Sequence, residues 1–320
     1  MHIIDSITAV PPALWCRGFF LGAAGGILAL QVLPRDVRSR LMDYGARRPT
    51  GASGSGEQKP TRTAAADETG GPTALLTSLA SYGQVPHSWF WHFYALSVSW
   101  SAFWAWQYVH RGSVMATLAE AQARSMAASP SVELGRVVLA WSMLAVQGSR
   151  RLCECFFVVK PGRTPMLFVH WALALVFYTA LNISVWIEGS GTILESWKSH
   201  QPAVLLTPRV PTGLAIFFAA WLQQNECHRY LASLKKYTLP SEDLFSYIVC
   251  PHYTCECVIY LAISFLAAPP GRLFNTSVLC GLVFVAVNLG ATAHGTKHWY
   301  AQKFGAEKVA RRWKMIPFVF

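Results

Sequence analysis

An all-α, polytopic membrane protein with about seven transmembrane helices is the fold class this sequence predicts, on three observations. First, 53% of its 320 residues are hydrophobic and only 13% charged, where soluble domains carry roughly 25%, and its mean hydropathy is +0.31. Second, seven apolar runs approach the roughly 20 residues that cross hydrocarbon. Third, Lys and Arg alternate in abundance between successive connecting segments, the pattern that membrane insertion imposes.

The runs are Ala13–Leu33, Trp89–Val109, Glu133–Val158, Met166–Ile187, Thr212–Leu234, Tyr247–Ala268 and Leu273–His294. The first is long enough to span rather than serve as a cleaved leader. The third, fifth and sixth admit polar residues at one end. Residues 45–72 are rich in Gly, Ser, Thr, Ala and Pro and cannot bury enough apolar surface to order themselves. Their Gly-Ala-Ser-Gly-Ser-Gly stretch has no strand before it or helix signal after it, so it does not predict a phosphate loop.

Twenty Lys and Arg fall on one side of the predicted membrane and five on the other, with Arg17 and Arg136 near the poor side, where they are expected to snorkel. This places the N-terminus in the lumen and the tail in the cytosol. Residues 1–12 then form the lumenal N-terminus, and 13–44 the first transmembrane helix with a basic cytosolic segment. Residues 45–75 form a disordered cytosolic loop, and 76–320 the membrane domain with a cytosolic tail. The net charge of +11 follows from topology, so no nucleic-acid partner is expected.

None of the eight Cys forms a Cys-x-x-Cys pair, which leaves zinc-ribbon and dithiol redox chemistry without support. His294 and His298 have zinc-ligand spacing, but no Glu follows His294 and no third ligand is fixed. No metal is expected.

Ionisable groups inside spans are costly and usually functional, and here they gather at one depth. Run three ends in Gln147, Arg150, Arg151 and Glu154, and run five in Gln223, Gln224, Asn225, Glu226 and His228. Run six begins near His252 and Glu256, and run seven ends in His294, Lys297, His298, Trp299 and Tyr300. All four ends face the cytosol in the predicted topology, so they converge on one polar pocket. Each also has a plainer reading. Arg151 and Glu154 are spaced to neutralise each other along a helix, His252 can cap the helix it opens, and Trp299 and Tyr300 can be interfacial belt residues.

The chain resembles the steroid 5α-reductase superfamily, and within it the polyprenol (polyprenal) reductase branch. The resemblance is carried by VPHSWFWHFYALSVSW (Val85–Trp100), SRRLCECFF (Ser149–Phe157), NECHRYLASLKK (Asn225–Lys236), YIVCPHYTCECVIY (Tyr247–Tyr260), KHWYAQKF (Lys297–Phe304) and the terminal IPFVF. It implies a seven-helix reductase domain in the endoplasmic reticulum membrane, NADPH bound from the cytosol, and reduction of a carbon–carbon double bond conjugated to a carbonyl. It further implies Arg151, Glu154, Gln224, His228, Lys235, His252 and His298 as cofactor contacts, and Tyr300, Glu256, His294 and Lys297 as the catalytic set. The tail departs from the family pattern: Thr296 and Lys297 stand where relatives often carry His, and Gly305-Ala306-Glu307-Lys308 replaces the usual Tyr-Pro-Lys.

The chemistry suits these residues. Hydride addition to an alkene needs a place for the developing negative charge, and a conjugated carbonyl oxygen provides one if preorganised donors meet it. That favours a polyprenyl aldehyde over the alcohol. The expected partners are a polyprenyl lipid and the bilayer, with the chain acting as a monomer. The alternatives are a superfamily reductase of a Δ4-3-keto steroid or trans-2-enoyl thioester, a cofactor-free lipid-binding scaffold, and a related methyltransferase using S-adenosylmethionine.

Overall fold

A computed structural model describes residues 10–33, 83–125, 131–160, 165–199, 207–235 and 237–320. The expected disordered loop at 45–75 and most of the expected lumenal N-terminus lie outside these residues. Each of the seven apolar runs is a helix: α1 (Pro12–Gln31), α2 (Trp91–Val109), α4 (Leu134–Phe157), α5 (Phe168–Ile187), α7 (Arg209–Ser233), α8 (Pro251–Leu266) and α9 (Thr276–Phe304). Two shorter helices, α3 (Ser113–Ser125) and α6 (Ser190–Ser196), fill segments that the sequence reading left as loops. Residues Gln84–Val85 (β1) and Met166–Leu167 (β2) pair antiparallel.

By length and composition, α1, α5 and α9 are apolar enough to cross a membrane. The other four fall short for physical reasons. The Trp, Tyr and Gln of α2 weigh little on a hydropathy scale, α4 and α7 carry ionisable groups in their last turns, and α8 has 16 residues. The coarser reading, a mostly helical multi-pass membrane protein, therefore stands.

Local chemistry sets the helix ends. Pro12 and Pro251 occupy first helical positions, where the missing N–H has no partner to lose. Asn275 caps α9 by accepting from the Val278 N–H at 2.9 Å. No breaker follows the last apolar residue of α9, so the helix continues past His294 to Phe304. It stops at Gly305, whose φ of 104° excludes most side chains.

In the bundle α7 packs on α8, α8 on α9, α9 on α1, and α2 on both α4 and α5. The core is aromatic and aliphatic, with Phe20, Trp104, Trp186, Phe217 and Tyr260 fully enclosed. At the lumenal end of the expected topology α3 packs against α6. Its Gln122 accepts from the Ala13 N–H at the start of α1, at 3.0 Å.

Arg17 does not snorkel. It ion-pairs with Glu188 at 2.9 Å, and the same carboxylate oxygen accepts the Ser277 N–H and hydroxyl, both at 2.7 Å, at the amino end of α9. Arg136 is likewise buried, donating to the Leu266 carbonyl at 3.3 Å where α8 ends. Arg17 prefers a fixed acceptor at a helix end to lipid headgroups, because Glu188 is only 2% exposed and needs donors.

Replacing Glu188 by Ala strands Arg17 and uncouples α1 from α9. The expected loss is about 3 kcal/mol, seen as a lower midpoint for thermal unfolding in detergent. An unchanged midpoint would show that the pair does not hold these helices together.

Candidate active site

The site is built from helix ends that the bundle brings to one depth. Glu154, in the last turn of α4, is its centre and is 2% exposed. Its Oε1 accepts from Arg150 Nη1 at 3.1 Å and from Asn225 Nδ2 at 2.6 Å. Its Oε2 accepts from Arg151 Nη1 and lies 2.7 Å from His228 Nδ1. His228 Nδ1 also lies 2.8 Å from Arg151 Nη1. A proton on Nδ1 directed at the carboxylate leaves Arg151 paired with Glu154. All the acceptor directions of Glu154 are then filled, which is how a carboxylate tolerates such burial.

A second carboxylate, Glu256 on α8, stands one layer away and is half-buried. Its Oε2 accepts from Gln147 Nε2 at 3.0 Å and from Gln224 Nε2 at 2.5 Å. Gln224 Oε1 in turn accepts from Gln147 and Arg150, and Gln224 Nε2 also reaches the His252 carbonyl at 3.1 Å. The two carboxylates are thus joined through amides, and α4, α7 and α8 are cross-linked at this level. The His252 ring stands 5.6 Å from that of His228, and its Nδ1 is buried without a hydrogen-bond partner. The amino end of α8 beside it has no side-chain cap.

The structure therefore joins Arg151, Glu154, Gln224, His228, His252 and Glu256 in one network. The others lie around it. His294, Lys297, His298 and Tyr300 occupy the last turns of α9, and Lys235 is exposed just beyond α7. Tyr300 packs against the small cluster of Val249, Cys250, Ala293 and Met315, beside the Trp299 and Phe304 rings. His298 shares a hydrogen bond with Gln302 at 3.0 Å, and His294 is exposed.

Lys297 has a definite task. Its Nζ donates to the Ala310 and Arg312 carbonyls, at 3.1 and 2.5 Å, fastening the segment that follows α9. That segment folds back onto the start of α8. Val249 N–H donates to the Trp313 carbonyl at 2.8 Å, Cys250 N–H to the Lys314 carbonyl at 3.1 Å, and Thr254 Oγ1 to the Met315 carbonyl at 2.5 Å. The tail thereby holds the turn from which His252 and Glu256 project.

One member of the network had no role in the sequence reading. Tyr94, 6% exposed on α2, accepts from Arg151 Nε at 3.2 Å and Nη2 at 3.0 Å. The signal was present in the His-Phe-Tyr of the Val85–Trp100 motif, but nothing local to α2 names Arg151 as its partner. A groove of about 360 Å³ opens between α4 and α7 on the far side of Glu154, lined by Arg150, Phe157, Trp221, Asn225 and Arg229 among others.

The helix ends thus converge on two carboxylates and two arginines inside the bundle rather than on a belt facing lipid. Residues 166–320 match the family described as 3-oxo-5-alpha-steroid 4-dehydrogenase. With the motifs upstream of that segment, this supports the resemblance to the steroid 5α-reductase superfamily. Among curated proteins it is 29% identical to "Polyprenal reductase 1" of Arabidopsis thaliana over 275 residues, covering 74% of this chain and 82% of that one. It is 28% identical to "Polyprenal reductase" of Xenopus laevis (74% and 78% covered) and 25% identical to "Polyprenal reductase" of Caenorhabditis elegans (76% and 82% covered).

Replacing Glu154 by Ala leaves two buried guanidinium groups and an amide facing one another. Stability is expected to fall by about 3 kcal/mol or more, whereas Cys153→Ala, an exposed neighbour on the same helix, stays within about 0.5 kcal/mol. Thermal unfolding of both variants in detergent makes the comparison, and equal midpoints would refute the central role of Glu154.

Proposed function

We propose that this chain reduces the α-isoprene double bond of polyprenal with NADPH, in the route from polyprenol to dolichol that supports protein N-glycosylation. In this reading all seven long helices cross the endoplasmic reticulum membrane as a monomer, with the N-terminus lumenal and the tail cytosolic. The observation that carries it is the union of Arg151, Glu154, Gln224, His228, His252 and Glu256 at one end of a bundle whose core is mainly aromatic and aliphatic. Such a site accepts an amphipathic substrate, its polar head among the donors and its prenyl chain among the helices.

The residues present fit a dinucleotide. The unpartnered His252 Nδ1 and the uncapped amino end of α8 offer donors. Arg229 and Lys235, exposed at the same end, offer cations for phosphate. Bound there, NADPH would supply the hydride.

The chain's own residues then manage charge and protons. Glu256, gripped by Gln147 and Gln224, fixes the orientation of the donors around the carbonyl. Tyr300 and His294 close the site from α9, the side from which a proton can reach the α-carbon. Lys297 acts through the tail segment that it holds in place. His228 and His298 complete the cofactor side.

The test is direct. Purified protein with NADPH and polyprenal is expected to yield a product heavier by two mass units, with no such product from a Δ4-3-keto steroid. Glu256→Gln and Tyr300→Phe are each expected to lower kcat by at least about tenfold without unfolding the protein. Reduction of the steroid alone would transfer the chain to the other branch of the superfamily, and no product from folded protein would end the enzymatic reading.

A further inference from the structure

The geometry points to Tyr94 as the group that donates to the substrate's carbonyl oxygen, with Arg151 as its positioning partner. A phenol oxygen has one proton to give and two lone pairs to receive, and a guanidinium can only give. Arg151 fills both lone pairs of Tyr94, from Nε and from Nη2. Its remaining nitrogen, Nη1, is engaged with Glu154 and His228. Three of the five N–H groups of Arg151 are thus held by Tyr94 and Glu154, which fixes the guanidinium behind the phenol, and Tyr94 has its own proton still to place. Among the described residues no acceptor takes that proton. Leaving such a donor unmet in a buried position costs about 1–3 kcal/mol, so the site is built to receive an oxygen there.

The surroundings say which oxygen. Tyr94 sits at the boundary between the polar network and a run of rings that leads away from it. Its ring lies 5.6 Å from that of Tyr178, Tyr178 lies 5.1 Å from Phe177, and Phe177 lies 5.2 Å from Phe284 and 5.8 Å from Phe20. A molecule with a single polar head and a long apolar tail matches that boundary. The Arg151 guanidinium also stacks on the Tyr94 ring, 4.9 Å from its centroid, which holds the phenol in one orientation.

This inference rests on the reading of the substrate as a conjugated aldehyde. When hydride from the reduced nicotinamide forms a bond to the β-carbon, the alkene pair moves between the α-carbon and the carbonyl carbon. The carbonyl π pair moves onto oxygen. The Tyr94 hydroxyl donates its hydrogen bond to that oxygen, and Arg151 behind it stabilises the charge that the phenol takes up. A proton from the α9 side or from solvent then adds to the α-carbon, the carbonyl re-forms, and the nicotinamide is left oxidised.

The experiment uses the full chain, Tyr94→Phe, and the chain carrying 3-fluorotyrosine at position 94, which keeps the shape and strengthens the donor. A fifteen-carbon isoprenoid enal is bound without cofactor and its C=O stretch followed by infrared difference spectroscopy. Turnover with NADPH and polyprenal is measured in parallel. In the unsubstituted protein the stretch is expected below its value in hydrocarbon. It should return toward that value in Tyr94→Phe and fall further with fluorotyrosine. kcat for Tyr94→Phe is expected to drop about 100-fold or more, with KM for NADPH unchanged. A stretch indifferent to both replacements, or one that moves with Tyr300→Phe instead, overturns the assignment, as does undiminished kcat. If the unsubstituted chain fails to reduce polyprenal, the proposed function fails, while the carbonyl stretch still decides whether Tyr94 meets the enal.

Discussion

A carboxylate taken out of water must find fixed donors, and Glu154 finds four: two adjacent arginines one turn before it on its own helix, and an amide and an imidazole on α7. This requirement organises that end of the bundle. To satisfy it α4 and α7 must meet at one level. Arg150 then carries the contact to Gln147 and Gln224, and through them to Glu256 on α8. Removing one partner from such a network leaves uncompensated charge, so its members hold each other in place. A reaction that depends on donors set within fractions of an ångström benefits from that rigidity.

The opposite end of the bundle uses the same physics for a different purpose. Glu188 also lies buried, and its donors are Arg17 on α1 and the first residues of α9. No second carboxylate and no histidine joins it in the hydrogen bonds described. Its effect is to fix α1 against α9. One pole thus concentrates titratable groups around an apolar entry, and the other ties helix ends together.

Much of this was legible in the chain. The seven runs became seven helices, most ends displaced by a few residues and the end of α9 by ten, because apolar length, Pro at helix starts and Asn at a cap act locally. The convergence of Arg151, Glu154, Gln224, His228, His252 and Glu256 was also legible, since alternating topology puts their helix ends at one depth. The helices α3 and α6 were not: each is short, and burial against its neighbours, not its own sequence, stabilises it. Trp299 and Tyr300 can be read from the sequence as belt or site residues, while the tail's backbone pairing with Tyr247, Val249 and Cys250 had no sequence signal, because main-chain hydrogen bonds leave no mark on residue type.

By itself, then, the sequence determined the helical runs and the level at which polar groups accumulate, both properties set by short stretches of chain. Only the tertiary structure decided which donor meets which acceptor: Arg151 with Tyr94, 57 residues apart, Gln147 with Glu256, 109 apart, and Arg17 with Glu188, 171 apart. Those choices depend on the rotation of each helix about its axis, which follows from how whole faces pack and cannot be read from any one of them.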